Sequence, residues 1–213
     1  MDASRQIMCG DAELIIAAGV ESMTRAPFVM PKSASPFSRA TDMYDTTMGW
    51  RFTNQKLAAM YHPFTMGETA ENVASQWKRS REEQDAFAFH SQEKYFAAKE
   101  ANRWEDEIAA VELYENGLVS WMVNDEHPRK TSLEKLAALK PAFVKDGTVT
   151  AGNSSGINEG AAAMLLASEE AVKRFELQPL ARVVSMAVAG VEPAIMGMGP
   201  VPATKKALHR ANL

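Results

Sequence analysis

The chain has 213 residues, and 23 Lys and Arg set against 27 Asp and Glu leave a formal charge of −4 with histidine neutral. Apolar residues make up 46%, with 12 Gly and 10 Pro, a globular composition that excludes disordered, collagen-like and low-complexity classes. The slight acidity and the scattered Lys and Arg form no basic stripe for a phosphate backbone, so no nucleic-acid partner is expected.

The apolar runs at 14–20 and 161–167 fall short of the roughly 18 residues that a spanning helix needs, so no membrane partner is expected. The opening Met1-Asp2-Ala3-Ser4-Arg5 carries an acid at once, and no long apolar core of a secretory signal follows. Cys9 is the only cysteine, which leaves no intrachain disulfide or multi-thiolate zinc site and points to a reducing, cytoplasmic setting.

In chain order, a helix tail over 5–9 is stopped by Gly10-Asp11. The run from Glu13 to Val20 then reads as a strand buried on both faces. A helix starting at Met1 with no residue to cap it reads as cut rather than begun, so an interior piece of a longer chain is expected. Residues 24–68 carry Pro27, Pro31, Pro36 and Pro63 without a sustained period and read as elaborated loop. From Thr69, the apolar residues Ala70, Val73, Ala74 and Trp77 mark one helix face.

Ser80-Arg81-Glu82-Glu83 spells a capping box, which predicts a second helix from Ser80 to about Ala101. One or two short strands are expected within 108–123, and a short helix capped by Ser132 and ended before Pro141. The segment from Thr148 to Gly160 is the most unusual spelling. Gly152, Asn153, Gly156, Asn158 and Gly160 suit positive φ angles and a close approach of backbone to ligand. A strand over 161–167, a helix capped by Ser168, a strand over 181–189 and a helix from Pro202 complete the chain. Strand and helix alternate at both ends around an insertion over 25–147, which argues an α/β fold.

Residue by residue, no catalytic constellation assembles. Cys9 reads as a small buried apolar residue with no base beside it. His62, His90, His127 and His209 are too far apart in sequence to make a ligand motif, and His90 and His209 read as helix-face residues. Glu82-Glu83, Glu105-Asp106-Glu107 and Glu169-Glu170 serve helix starts and solvated faces. Met8, Met23, Met30, Met43, Met48, Met60 and Met66 read as packing residues or pocket walls. The glycine-rich loop is neither a Walker A nor a dinucleotide fingerprint.

Taken together the spellings carry more. Gly10-Asp11-Ala12, Ala18-Gly19-Val20-Glu21-Ser22-Met23-Thr24-Arg25-Ala26-Pro27, Met66-Gly67-Glu68-Thr69-Ala70-Glu71-Asn72-Val73-Ala74, Ser80-Arg81-Glu82-Glu83-Gln84-Asp85-Ala86-Phe87-Ala88, Thr148 to Gly160, and Met196-Gly197-Met198-Gly199-Pro200-Val201-Pro202-Ala203 stand in the order of the thiolase family. The chain resembles the middle of a thiolase along essentially its whole length. The resemblance implies a partial thiolase-like α/β fold. It places the end of an N-terminal core at 1–24, a helical loop domain at 25–147, the remainder of that core at 148–178 and the start of a C-terminal core at 179–213.

It also implies an acyl-CoA C-acyltransferase, in which CoA cleaves a 3-oxoacyl-CoA or two acyl-CoAs condense in reverse. In the family a cysteine takes the acyl group, a histidine activates it and a second cysteine moves a proton. By resemblance these groups would lie before Met1 and after Leu213, and Cys9 matches a different position, so no catalytic residue is assigned. The substrate-binding expectations are Met66 beside the pantetheine and acyl part, Arg129 at the adenosine end, Phe143 and Ala151 on the apolar flank, and Ser155 at the pantetheine.

Thr65, where biosynthetic members carry histidine before Met-Gly, points to the degradative enzymes. So do Asp45 to Phe52 and Asp125 to Arg129, which look like the bacterial 3-oxoacyl-CoA and 3-oxoadipyl-CoA thiolases. No metal and no organic cofactor is implied, coenzyme A being a substrate. The implied partners are CoA and acyl-CoA, together with other copies of the chain in a homo-oligomer. The alternative is a non-catalytic CoA-binding or oligomerisation module.

Overall fold

The structure, a computed structural model, describes all 213 residues. Its elements are α1 (Asp2–Met8), β1 (Leu14–Glu21), a 3₁₀ turn (Met23–Arg25), β2 (Phe28–Val29), β3 (Tyr44–Asp45), α2 (Gln55–Met60), α3 (Met66–Gln76), α4 (Arg81–Glu100), β4 (Val111–Glu115), β5 (Leu118–Met122), α5 (Leu133–Ala137), β6 (Gly160–Ala167), α6 (Glu169–Arg174), a second 3₁₀ segment (Pro193–Met198) and α7 (Pro200–Arg210). Two compact units result: 1–65 together with 157–213, and 66–156.

In the first unit, β1 and β6 pair antiparallel along their whole length, from Leu14 opposite Ala167 to Glu21 opposite Gly160. α1 packs against both strands and α6 against β6. The Ser168 hydroxyl caps α6 by accepting the N–H of Ala171, the only fully buried apolar residue of the unit. Expected as a strand covered on both faces, β1 has one partner and alternates, with Ile15 and Ala17 half-buried and Ile16 and Val20 exposed by 72% and 81%. A hydrophobic run does not by itself say how many faces are covered.

The expected strand over 181–189 does not form. The segment has no pairing partner and is held by side chains, Arg210 donating to the Met186 carbonyl at 2.7 Å and Ser185 to that of Ala207 at 2.6 Å. Just after β1 and before β6, the Glu159 carboxylate accepts both the N–H and the hydroxyl of Thr24. The loop read over 24–68 contains β2 and β3, which pair with each other, and α2, whose first amides are capped by Asn54.

In the second unit, α4 begins with the capping box read from the sequence. Ser80 accepts the Glu83 N–H at 3.2 Å while the Glu83 carboxylate accepts the Ser80 N–H at 2.9 Å. α4 packs on α5, which Ser132 caps. β4 and β5 form a hairpin around Asn116 and Gly117, both at positive φ, a left-handed pair that a two-residue turn requires. The buried residues are Gly67, Ala74, Leu136 and Val149 with Thr69, Asp85 and Thr150, so nearly half of this core is polar and held by hydrogen bonds.

Cys9 is exposed at the C-terminal end of α1, not buried, because α1 turns that side to solvent. Most of the methionines expected as packing residues are also exposed, among them Met8, Met30, Met43, Met48, Met60 and Met66.

Candidate functional site

The five expected substrate-binding residues all fall in the 66–156 unit. Met66 opens α3 and is exposed. The next residue, Gly67, is buried under the Phe143 ring so closely that a Cβ there would overlap it. Only glycine lets the first turn of α3 approach the ring, which brings Met66 and Phe143 to one place.

Ala151 and Ser155 lie on the loop that follows Thr150, and both are exposed. The loop is built on a fully buried threonine. Thr150 Oγ1 accepts the Gly152 N–H at 3.2 Å, its carbonyl accepts the Ser154 hydroxyl at 2.7 Å, and its N–H donates to Asn153 Oδ1 at 2.8 Å. Pro141 bridges Thr150 in a short antiparallel contact. Gly152 is required for space rather than for a left-handed backbone, since a Cβ there would strike Leu136 and Leu139. The positive φ angles expected of this loop are not used: the glycines at positive φ are Gly10, Gly49 and Gly117.

Arg129 is exposed and fixed from α4, its N–H donating to Gln92 Oε1 at 3.0 Å. The flanking residues reinforce that seat. Lys130 Nζ lies 5.5 Å from the centre of the Phe96 ring, and Tyr95 stacks on Trp104 at 4.9 Å. Burial, then the neighbouring Asp125 carboxylate, raises the Tyr95 hydroxyl above its ordinary value. The hydrogen bonds of Arg129 go to Gln92 and His127, so the arrangement joins Met66 with Phe143, and Ala151 with Ser155, and holds Arg129 separately.

Sequence reasoning passed over the residues that shape these surfaces. Glu71 on α3 accepts the N–H groups of Thr148 and Val149 and the Thr148 hydroxyl. Asp85 on α4 accepts from Asn153 at 3.0 Å and from Arg81 at 2.7 Å. A cavity of about 420 Å³ beside this network is lined by Glu71, Ser75, Lys78, Arg79, Asp146 and Thr148, none of them among the five. No group of three or more His, Cys, Asp or Glu side chains is placed to hold a metal ion. No helix is long and apolar enough to cross a membrane.

The sequence model of the thiolase N-terminal domain matches residues 1–170, and that of the thiolase C-terminal domain matches 177–213. The chain belongs to the thiolase family. It is 52% identical over 213 residues to the 3-oxoadipyl-CoA/3-oxo-5,6-dehydrosuberyl-CoA thiolase of Escherichia coli K12, covering 99% of this chain and 53% of that one. It is 51% identical to a beta-ketoadipyl-CoA thiolase of Acinetobacter baylyi at the same coverage, and 44% identical to an acetyl-CoA acetyltransferase of Allochromatium vinosum, covering 98% of this chain and 52% of that one.

Among solved structures, the Bacillus anthracis acetyl-CoA acetyltransferase superposes with a TM-score of 0.88 at 39% identity, over all of this chain and 53% of that one. Human mitochondrial 3-ketoacyl-CoA thiolase in complex with CoA gives 0.87 at 40%, over all of this chain and 52% of that one. The chain thus has the thiolase fold and spans about half the length of the curated relatives it matches.

Proposed function

We propose that this chain is the acyl-CoA-facing part of a degradative thiolase, an acyl-CoA C-acyltransferase that cleaves a 3-oxoacyl-CoA with CoA through a cysteine acyl-enzyme. The observation that carries the reading is the match of both thiolase domain models in order, over 1–170 and 177–213, with several 3-oxoadipyl-type thiolases at 51–52% identity.

The surfaces around Phe143 and Ser155 suit the ligand in kind. Met66, Phe143 and Ala151 offer apolar contacts to a pantetheine arm, Ser155 offers a hydroxyl to one of its amides, and Arg129 offers a guanidinium to the phosphates of the adenosine end. The chemistry needs no metal or organic cofactor, with CoA itself as substrate, and a cytoplasmic homo-oligomer is the setting that fits. The purified chain titrated with CoA in a calorimeter should show binding that Arg129→Ala and Ser155→Ala weaken. Mixed with acetoacetyl-CoA and CoA it should show no thiolysis. Turnover abolished by Cys9→Ser would place the chemistry on a residue to which this reading gives no role.

A further inference from the structure

Asp85 is the one charged residue buried in the 66–156 unit, its side chain 5% exposed on the second turn of α4. A lone buried carboxylate is costly unless its lone pairs are filled, and here they are divided between two clients. Oδ2 accepts Arg81 Nε at 2.7 Å, and Arg81 Nη2 in turn donates to the carbonyls of Leu136 and, at 3.1 Å, Leu139. Oδ1 accepts Asn153 Nδ2 at 3.0 Å.

That second bond is one of three that fix which way the Asn153 amide faces. Its NH₂ group donates to Asp85 and to the Thr148 carbonyl at 3.1 Å, which leaves its oxygen to accept the Thr150 N–H at 2.8 Å. Turn the amide over and all three contacts become mismatched. The two backbone partners hold that orientation too, so residue 85 must meet a donor on the Asn153 side as well as on the Arg81 side, which a carboxylate does and an isosteric amide does not. We propose that Asp85, aligned by Arg81, is the positioning residue of the 150–155 loop, setting through Asn153 where Ala151 and Ser155 stand. What that loop contacts rests on the acyl-CoA reading above; its placement does not.

Asp85→Asn is the discriminating change. The new amide at position 85 must keep its oxygen on Arg81, so its NH₂ group meets the NH₂ group of Asn153, and the mismatch passes into the loop. In the double variant D85N/N153D, the amide at position 85 again faces an acceptor, residue 153 again accepts from Thr150, and Arg81 again finds an oxygen. The cost is at the Thr148 carbonyl, which loses its donor and faces a carboxylate oxygen instead.

The experiment is amide hydrogen exchange of the whole chain, read residue by residue, beside calorimetric titration with CoA. For D85N we expect protection over 149–155 and CoA affinity each to fall about tenfold, with β1, β6 and α3 unchanged, and part of both losses to return in D85N/N153D. N153A, which spares the Arg81 pair, should loosen the same loop should D85N prove too unstable to purify. Unchanged loop exchange in D85N or N153A, protection lost evenly over α3, α4 and the loop, or no recovery in the double variant would each overturn the inference. A wild-type chain that takes up no CoA would remove the acyl-CoA reading, and the exchange pattern alone would then decide the positioning role.

Discussion

The carboxylate of Glu71 accepts the backbone N–H of Thr148 at 2.8 Å and its hydroxyl at 2.9 Å, and extends to the Val149 N–H at 2.7 Å. One side chain of α3 thus ties down the segment that leads into the 150–155 loop, and a charged acceptor makes each bond stronger than a neutral one. Glu71→Ala strands two amides in a half-buried site and should cost about 2–4 kcal/mol. Glu71→Gln can keep its oxygen on both amides, as Oε1 is now, and turns its NH₂ group to the Thr148 hydroxyl, which can rotate to accept, so it should cost less, about 1 kcal/mol. Urea midpoints of the three chains, followed by circular dichroism, give the ranking, and equal midpoints would refute it.

The contact of Gly67 with Phe143 makes a different prediction, because there the constraint is volume. Gly67→Ala drives a methyl group into the ring and should destabilise the chain by about 1–3 kcal/mol. Phe143→Leu in the same chain makes room, so the double variant should be more stable than the sum of the two single changes predicts. Additive losses in a thermal double-mutant cycle would show that ring and helix do not press on one another.

What could be read from the sequence was what neighbours in sequence decide. The Ser80–Glu83 box and the caps by Ser132 and Ser168 are complete within four residues, and each forms as spelled. Pairing was not legible. β1 and β6 are separated by the whole second unit, and nothing in Ile15 or Leu166 names the other as partner. The run at 181–189 has strand composition but no strand beside it, and pairing rather than composition makes a strand. The polar network was missed for the same reason: Glu71 meets Thr148 across 77 residues and Asp85 meets Asn153 across 68. The five expected site residues came from family resemblance alone, since Met66, Phe143 and Ser155 share no spacing that marks a ligand.

Acid should loosen the contact of Thr24 with Glu159 at the ends of β1 and β6. Hydrogen bonds from the Thr24 hydroxyl, the Thr24 N–H and Ser22, then the charge of Arg25, hold Glu159 below the ordinary value of 4.5. The ionised form is thus favoured in the folded state, and the unfolded chain takes up protons first as pH falls. The contribution is complete above 4.5 and is lost as pH drops through the folded value. Glu134, bonded by the Ser132 hydroxyl, and Glu169, bonded by Lys173, act in the same direction. Thr24→Ala should raise the Glu159 titration midpoint in an NMR experiment, and Thr24→Ser should largely keep it. A midpoint unmoved by Thr24→Ala would mean the Thr24 hydroxyl does not set it, since the Thr24 N–H still donates in that variant.

The β4–β5 hairpin should drive self-association. Its register puts Tyr114, Val119 and Trp121 on one face with Glu112, and Val111, Leu113, Leu118 and Met122 on the other. Tyr114 is 74% and Trp121 59% exposed, and Leu118 is as open on the opposite face. An isolated two-stranded hairpin is marginal in water, and an apolar face left wet is relieved by contact with another such surface. Light scattering of the chain should therefore show a mass that rises with concentration. Trp121→Lys with Leu118→Glu should lower that mass by charging both faces. The hairpin lies outside the residues expected to meet CoA, so the same pair of changes should leave calorimetric CoA binding as it was. A monodisperse monomer at every concentration would show that these faces do not associate, and loss of CoA binding in the charged variant would show that the hairpin and the ligand surface are one structure.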